Sequence, residues 1–244
     1  MAGFSAKCSK LPQNKIFVIT FRACAFLFAV WGILALVGVF KNSVNPVTLL
    51  TYTIQSNILT AVFFGILLTR TVLCIRGGGR PAASLKNPYG FFPRLSAFIT
   101  FAIFVTMLVY WLILVPTMTK GTRSLLVLDN LAVHLITPLL MLFDCLLFTE
   151  RGKLKKYDPL LCAVIPYVYL AESITLGLTH SVRYDSLGIH AYYPYIFLDI
   201  DRFGAWVILM VAAISLFFLV AAFFWQRLDK NLGQRNLMSA CRSG

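Results

Sequence analysis

The sequence predicts an all-α polytopic membrane protein, one bundle of six transmembrane helices with both termini on the cytoplasmic side. Three observations predict it. The chain is 59% hydrophobic and only 13% charged, with a mean hydropathy of +0.80, whereas soluble domains carry roughly 25% charged residues. Six apolar stretches each approach the ~20 residues a helix needs to cross ~30 Å of hydrocarbon. The Lys and Arg residues then fall unevenly on the two sides of those stretches.

The stretches run Ile16 to Phe40, Val47 to Cys74, Leu95 to Met118, Leu125 to Phe148, Leu160 to Thr179 and Phe203 to Gln226. Turn chemistry separates them: Asn45-Pro46, Gly77-Gly78-Gly79 with Pro81, Asn87-Pro88, Gly121 and Asp158-Pro159. Residues 1–15 read as a cytoplasmic tail, 16–226 as a single transmembrane domain and 227–244 as a second cytoplasmic tail. The first apolar run has no small-residue cleavage site before it, so it reads as a span rather than a removed signal. No internal repeat is visible, which argues against an inverted-repeat transporter.

Orientation follows from charge. One side carries Lys7, Lys10, Lys15, Arg76, Arg80, Lys86, Arg94, Arg151, Lys153, Lys155, Lys156, Arg227, Lys230, Arg235 and Arg242, and the other only Lys41, Lys120, Arg123, Arg183 and Arg202. Basic loops stay in the cytoplasm. The net charge of +13 therefore belongs to loops and does not imply nucleic acid. Arg22 and Arg70 fall near helix ends and can snorkel. The cysteines (Cys8, Cys24, Cys74, Cys145, Cys162, Cys241) form no C-x-x-C pair, so they read as small apolar fillers. Neither metal nor cofactor is expected.

Polar groups inside the spans are expensive and mark sites. The second span carries Thr51, Thr53, Gln55, Ser56 and Asn57, the fourth Asp129, Asn130, His134, Thr137 and Asp144, the fifth Tyr167, Tyr169, Glu172 and Ser173. At ~1.5 Å per residue, Thr53, His134 and Glu172 share a layer in the outer half of the bilayer, and Asp144 lies below it. Asn130 and His134 are spaced i, i+4, as are Thr53 and Asn57. Asn130 is expected to hold the imidazole, and Thr51 and Thr53, ~200° apart at ~100° per residue, cannot both face it. Asp144 is expected to pair with Arg22 or Arg70. The competing structural reading makes Gln55, Ser56 and Thr137 interhelical hydrogen-bond glue and Glu172 a mere partner for His134.

Three segments carry a resemblance. Leu50 to Gly65, LTYTIQSNILTAVFFG, resembles the second span of the androgen-induced gene 1 family of six-helix membrane proteins. Leu128-Asp129-Asn130 with His134 and Pro138 resembles its fourth span, and Tyr193-Pro194-Tyr195 with Phe197-Leu198-Asp199 the segment before its last. The Gln-Ser-Asn triplet and the Tyr-Pro-Tyr segment resemble its bacterial branch. The resemblance implies an intramembrane hydrolase of lipid esters, of the fatty acid ester of hydroxy fatty acid type. Thr53 would be the nucleophile and His134 the base. Membrane lipids and a lipid ester would be the partners, and the plasma membrane the location if the chain is bacterial. The chain departs from the animal pattern in following Thr53 with Ile-Gln-Ser and in setting His134 one residue nearer its Pro. Ser56 and Thr51 therefore stand as alternative nucleophiles. In this reading Asn130 and Asn57 support the chemistry, Asn57 as an oxyanion donor, with Glu172 in the same cavity and Asp199 in the loop above it. The alternative is a proton-coupled transporter or channel-like protein using His134, Glu172 and Asp144. A haem site would need a second axial histidine at depth, which His180 and His190 do not supply.

Overall fold

The computed structural model describes residues 15–77, 89–117, 127–187, 189 and 191–242, with the side chains of 117 and 235–242 left out. Outside the described residues lie Lys7, Cys8, Lys10, the Gly78-Gly79 to Pro88 turn with Arg80 and Lys86, the Lys120–Arg123 loop and His190, and so do the side chains of Arg235, Cys241 and Arg242. The described residues fold into helices and connecting turns. Six helices are long and apolar enough to cross a membrane: α1 (Lys15–Val37), α2 (Tyr52–Ile75), α3 (Pro93–Leu114), α4 (Leu128–Phe148), α5 (Asp158–Leu178) and α6, whose apolar part is Trp206–Gln234. The protein is an integral, multi-pass membrane protein.

Two boundaries differ from the sequence reading in ways that matter. Residues Pro46–Leu50 form a 3-10 turn capped by Asn45, whose side chain accepts from the Val47 N–H, and α2 begins only at Tyr52. Pro46 has no N–H to lose at such a start, and the Asn cap satisfies a donor. Thr53 consequently stands in the first turn of α2 rather than two turns down it. At the other end, α6 does not stop near Gln226 but runs from Trp206 to Arg242. Its extension is tied back to the 149–157 loop, where Asp229 accepts the Leu154 N–H at 3.2 Å and Gln226 donates to the Lys155 carbonyl.

Lipid is as apolar as any side chain, so close packing and buried hydrogen bonds hold the bundle together rather than burial from water. Phe63, Phe64, Leu67, Ile99, Ile103 and Met141 form one core on α2, α3 and α4. Tyr52, Phe101, Cys162, Tyr169 and Phe218 form another on α2, α3, α5 and α6. At Gly32 of α1 an added Cβ would meet the Ala132 Cβ at 3.0 Å, so α1 and α4 approach at their backbones.

The most consequential local feature is a pair of π-helical segments, Tyr110–Leu114 in α3 and Ala132–Ile136 in α4. Each lies just before a proline, Pro116 and Pro138. A proline inside a helix removes a donor and crowds the carbonyl four residues back. Here the chain widens instead of breaking: the Val115 N–H bonds to Tyr110 O and the Thr137 N–H to Ala132 O, each across five residues. Such widened turns recur at functional sites.

The 38–51 and 181–187 segments meet on one face of the bundle, where Asn45 Nδ2 donates to Ser186 O at 3.5 Å, and Tyr169 Oη of α5 donates to Leu50 O at 3.2 Å. On the opposite face Arg94 pairs with Asp158 at 2.5 Å. The Arg22–Asp144 pair lies toward that second face. Arg22 Nε meets Asp144 Oδ2 at 2.8 Å with both side chains fully enclosed, and Arg22 also donates to Thr71 Oγ1 at 2.6 Å and Tyr89 O at 3.1 Å. Arg70 instead lies over the rings of Phe91 and Phe92.

Candidate active site

Thr53 Oγ1 stands 3.2 Å from His134 Nε2, in a pair that is buried on both sides. The other ring nitrogen, Nδ1, is 3.1 Å from the Asn130 carbonyl. A carbonyl only accepts, so Nδ1 carries the proton and Nε2 presents its lone pair to the threonine hydroxyl. The i, i+4 spacing thus orients His134 through the Asn130 backbone, not through the side-chain amide expected from the sequence. Asn130 is itself fixed where the Asp129 carboxylate accepts its N–H at 2.8 Å, and Asp129 is held by Lys41 at 2.6 Å.

The widened turns set the imidazole in place. The Tyr110 ring stacks on His134 with centroids 3.7 Å apart and planes 19° from parallel. His134 O would ordinarily bond to the N–H of residue 138, but that residue is Pro138. The indole of Trp111 donates to it at 3.1 Å. Val133 O is similarly deprived, because the Thr137 N–H is used by Ala132 and the next donor along is again the proline. Asn57 Nδ2 supplies the missing bond at 3.1 Å and reaches Thr53 O at 2.7 Å. Asn57 therefore clamps α2 to α4 at the level of the pair. Both of its N–H groups are committed, which removes the expected role as an oxyanion donor.

The remaining sequence-predicted residues separate from the pair. Thr51 turns its hydroxyl back to Thr48 O at 2.7 Å. Ser56 bonds Thr53 O at 3.1 Å and Thr106 Oγ1 at 2.6 Å. Neither is placed as an alternative nucleophile against the imidazole. Glu172 is held by Gln55 at 3.0 and 3.1 Å and is not His134's partner. Asp199 caps the short helix Ile200–Phe203 by accepting the Arg202 N–H at 3.1 Å. His134, Glu172 and Asp144 each have their own partner, and among the described residues no hydrogen bond links one to another.

Below Thr53 lies a cavity of about 100 Å³, walled by Val105 and Tyr110 of α3, Pro166 and Leu170 of α5, and Ile214 and Phe218 of α6. Tyr110 lines it with a hydroxyl that is buried and has no hydrogen-bond partner among the described residues. Tyr195 lines it from the segment before α6. The Tyr193 ring positions that segment by packing against Gly177 of α5, where a Cβ would come within 2.0 Å of it, and Tyr195 itself stacks on Phe197 with centroids 5.3 Å apart. Burial pushes the pKa of the Tyr195 hydroxyl up, opposed by the nearby Thr53 side chain and the N–H groups of Thr53 and Tyr52. The group therefore stays protonated at neutral pH. Those N–H groups are in the first turn of α2, where no intrahelical acceptor exists and the helix dipole favours negative charge. Sequence reasoning placed Tyr195 in the loop but gave it no role, and gave none to Tyr110 or Trp111. The two prolines were the visible clue.

The site thus brings together a buried threonine hydroxyl, an imidazole nitrogen that accepts from it, and the N–H groups that begin α2. Comparisons with protein-family models, with curated proteins and with solved structures find no match for this chain.

Proposed function

We propose that the protein is an intramembrane hydrolase of lipid esters, with Thr53 as nucleophile and His134 as general base. The observation that carries this reading is the 3.2 Å contact between Thr53 Oγ1 and His134 Nε2, with Nδ1 turned to a backbone carbonyl 3.1 Å away. The resemblance to the androgen-induced gene 1 family, with its Thr and His, points the same way. So does an apolar cavity, which suits a lipid.

In the proposed sequence His134 Nε2 takes the Thr53 proton as Oγ1 bonds to the ester carbonyl carbon. The carbonyl π electrons move onto oxygen, and that oxyanion is met by the Tyr195 O–H and the N–H groups at the start of α2. Collapse breaks the C–O bond to the alcohol, which leaves with the proton from the imidazolium. Water, deprotonated by His134, then attacks the acyl carbon, the bond from that carbon to Thr53 Oγ1 breaks, Oγ1 takes the proton from the imidazolium, and the free acid leaves. Asn130 positions the base through its carbonyl, and Asn57 positions the nucleophile.

The charge asymmetry supports an orientation with the Arg76 and Lys155 loops and both termini cytoplasmic, and the active pair toward the outer leaflet. Detergent-solubilised protein is expected to take a fluorophosphonate or an ester probe, and Thr53→Ala to abolish the label. Absence of both labelling and ester hydrolysis in folded wild-type protein overturns the proposal.

A further inference from the structure

We infer that the crevice between α5 and α6 is the acyl-chain site of this protein, admitting one straight chain sideways from the bilayer to Thr53. The inference rests on the hydrolase reading for what happens at Thr53, but not for the binding of the chain.

The geometry begins with Pro166. It lacks the N–H that would bond Cys162 O, and α5 is interrupted there, with one segment at Asp158–Cys162 and the next from Val164. α6 packs against the first segment and against Ile196–Leu198. Between those two points α5 and α6 leave a second cavity of about 590 Å³, lined by Leu170 and Ile174 on one side and Val207, Ile208, Val211 and Ala212 on the other.

That crevice and the Thr53 cavity share four lining residues, Tyr167, Leu170, Val211 and Ser215, so they adjoin with only those side chains between them. Volume decides their division of labour. Sites that enclose a drug-sized ligand span ~300–1,000 Å³. The inner cavity, at about 100 Å³, accommodates little beyond an ester group, and the outer crevice, at about 590 Å³, falls inside that range. Its outer rim is open to lipid, with Ile208 73% and Tyr167 43% exposed. At this depth the surrounding medium is hydrocarbon, and the wall carries alkyl and aromatic groups with only the Ser215 and Tyr167 hydroxyls among its side chains. A saturated or monounsaturated acyl chain matches that lining. Tyr110 Oη, buried in the inner cavity and without a partner among the described residues, gives the polar end of such a ligand a donor.

Photocrosslinking tests the site without requiring turnover. A long-chain ester bearing a mid-chain diazirine, incorporated in phosphatidylcholine vesicles with the full chain, should label α5 and α6 at Leu170, Val211 or Ser215. Excess unlabelled ester should suppress the label, in wild type and in Thr53→Ala alike. Ser215→Trp and Val211→Trp should each lower the label at least fivefold and, in the hydrolysis assay, cut the long-chain to short-chain rate ratio about tenfold. Leu216→Trp, on the exposed side of α6, should change neither. Label spread evenly over all lipid-facing helices and not suppressed by excess ester means annular lipid only and overturns the inference. Localised, competed label in a protein that hydrolyses nothing supports the chain site while removing the hydrolase reading. Hydrolysis with an unaltered chain-length profile in both Trp variants removes the chain site and leaves the hydrolase.

Discussion

Asp144 offers the sharpest test of what is structural in this bundle and what is chemical. Replacing it with Leu strands a guanidinium that is 1% exposed. Arg22 loses its 2.8 and 3.2 Å bonds to the carboxylate and keeps its bonds to Thr71 and the Tyr89 carbonyl and its place over the Phe148 ring. Breaking a buried ion pair from one side costs roughly 3–5 kcal/mol. At 1.4 kcal/mol per decade, that is about a hundredfold to several thousandfold in the unfolding equilibrium. Replacing both charges at once removes the uncompensated ion, so Arg22→Met with Asp144→Leu should recover most of the loss. Tryptophan fluorescence during denaturation in a fixed detergent, with size exclusion as a check on aggregation, reads all three proteins. The double variant should also retain ester hydrolysis. An Asp144→Leu protein as stable as wild type refutes the energetic argument, and so does a double variant less stable than Asp144→Leu alone. Folded Asp144→Asn protein that no longer hydrolyses ester would place Asp144 in the chemistry.

Thr53→Ala and His134→Ala should each lower kcat about 10³-fold or more with a smaller change in KM, read by single-turnover ester hydrolysis, because nucleophile and base act as one unit. Tyr195→Phe should cost about 10²–10³ in rate, the usual loss of one oxyanion donor, and an unchanged rate would leave the α2 amides as the only donors. Asn57→Ala takes the donor from the Val133 carbonyl, while Thr53 O keeps Ser56 Oγ, at ~1–3 kcal/mol for one buried orphan. It should therefore lower thermal stability as well as activity, and a purely kinetic effect would contradict the clamp. Cysteines placed at positions 76 and 155 should resist a membrane-impermeant maleimide applied to intact cells, and ready labelling from outside would invert the topology.

The gross architecture was legible because the bilayer imposes it: length and hydropathy alone locate α1 through α6 to within a few residues at most ends. The exceptions have local causes. The Asn45-Pro46 cap diverts five residues into a 3-10 turn, and the apolar run through Val47–Leu50 conceals it. The polar tail after Gln226 stays helical because Asp229 finds a donor and Gln226 an acceptor in a loop some seventy residues earlier. Thr53 and His134 could be nominated from depth and resemblance, yet the nomination assumed ideal helices. Two widened turns decide which way His134 points, and no periodicity count includes them. Asn57 shows the limit of spacing arguments most plainly. Its i+4 relation to Thr53 is real, but the bond it makes is to the backbone, and its second donor answers a carbonyl orphaned by a proline on another helix.

A widened turn also acts as a phase adjuster. One residue in an α-helix is worth ~100° of rotation, so the extra residue within Ala132–Ile136 resets which side chains of α4 point inward above it relative to those below. His134 can then face Thr53 while Asp144, on the same helix, faces Arg22 on α1. The two halves of α4 are in effect indexed separately, one to the Thr53–His134 pair and one to the ion pair. Change in one half need not be matched in the other. Shortening the bulge by a single residue would relock the phases, and one of the two partners would turn toward lipid.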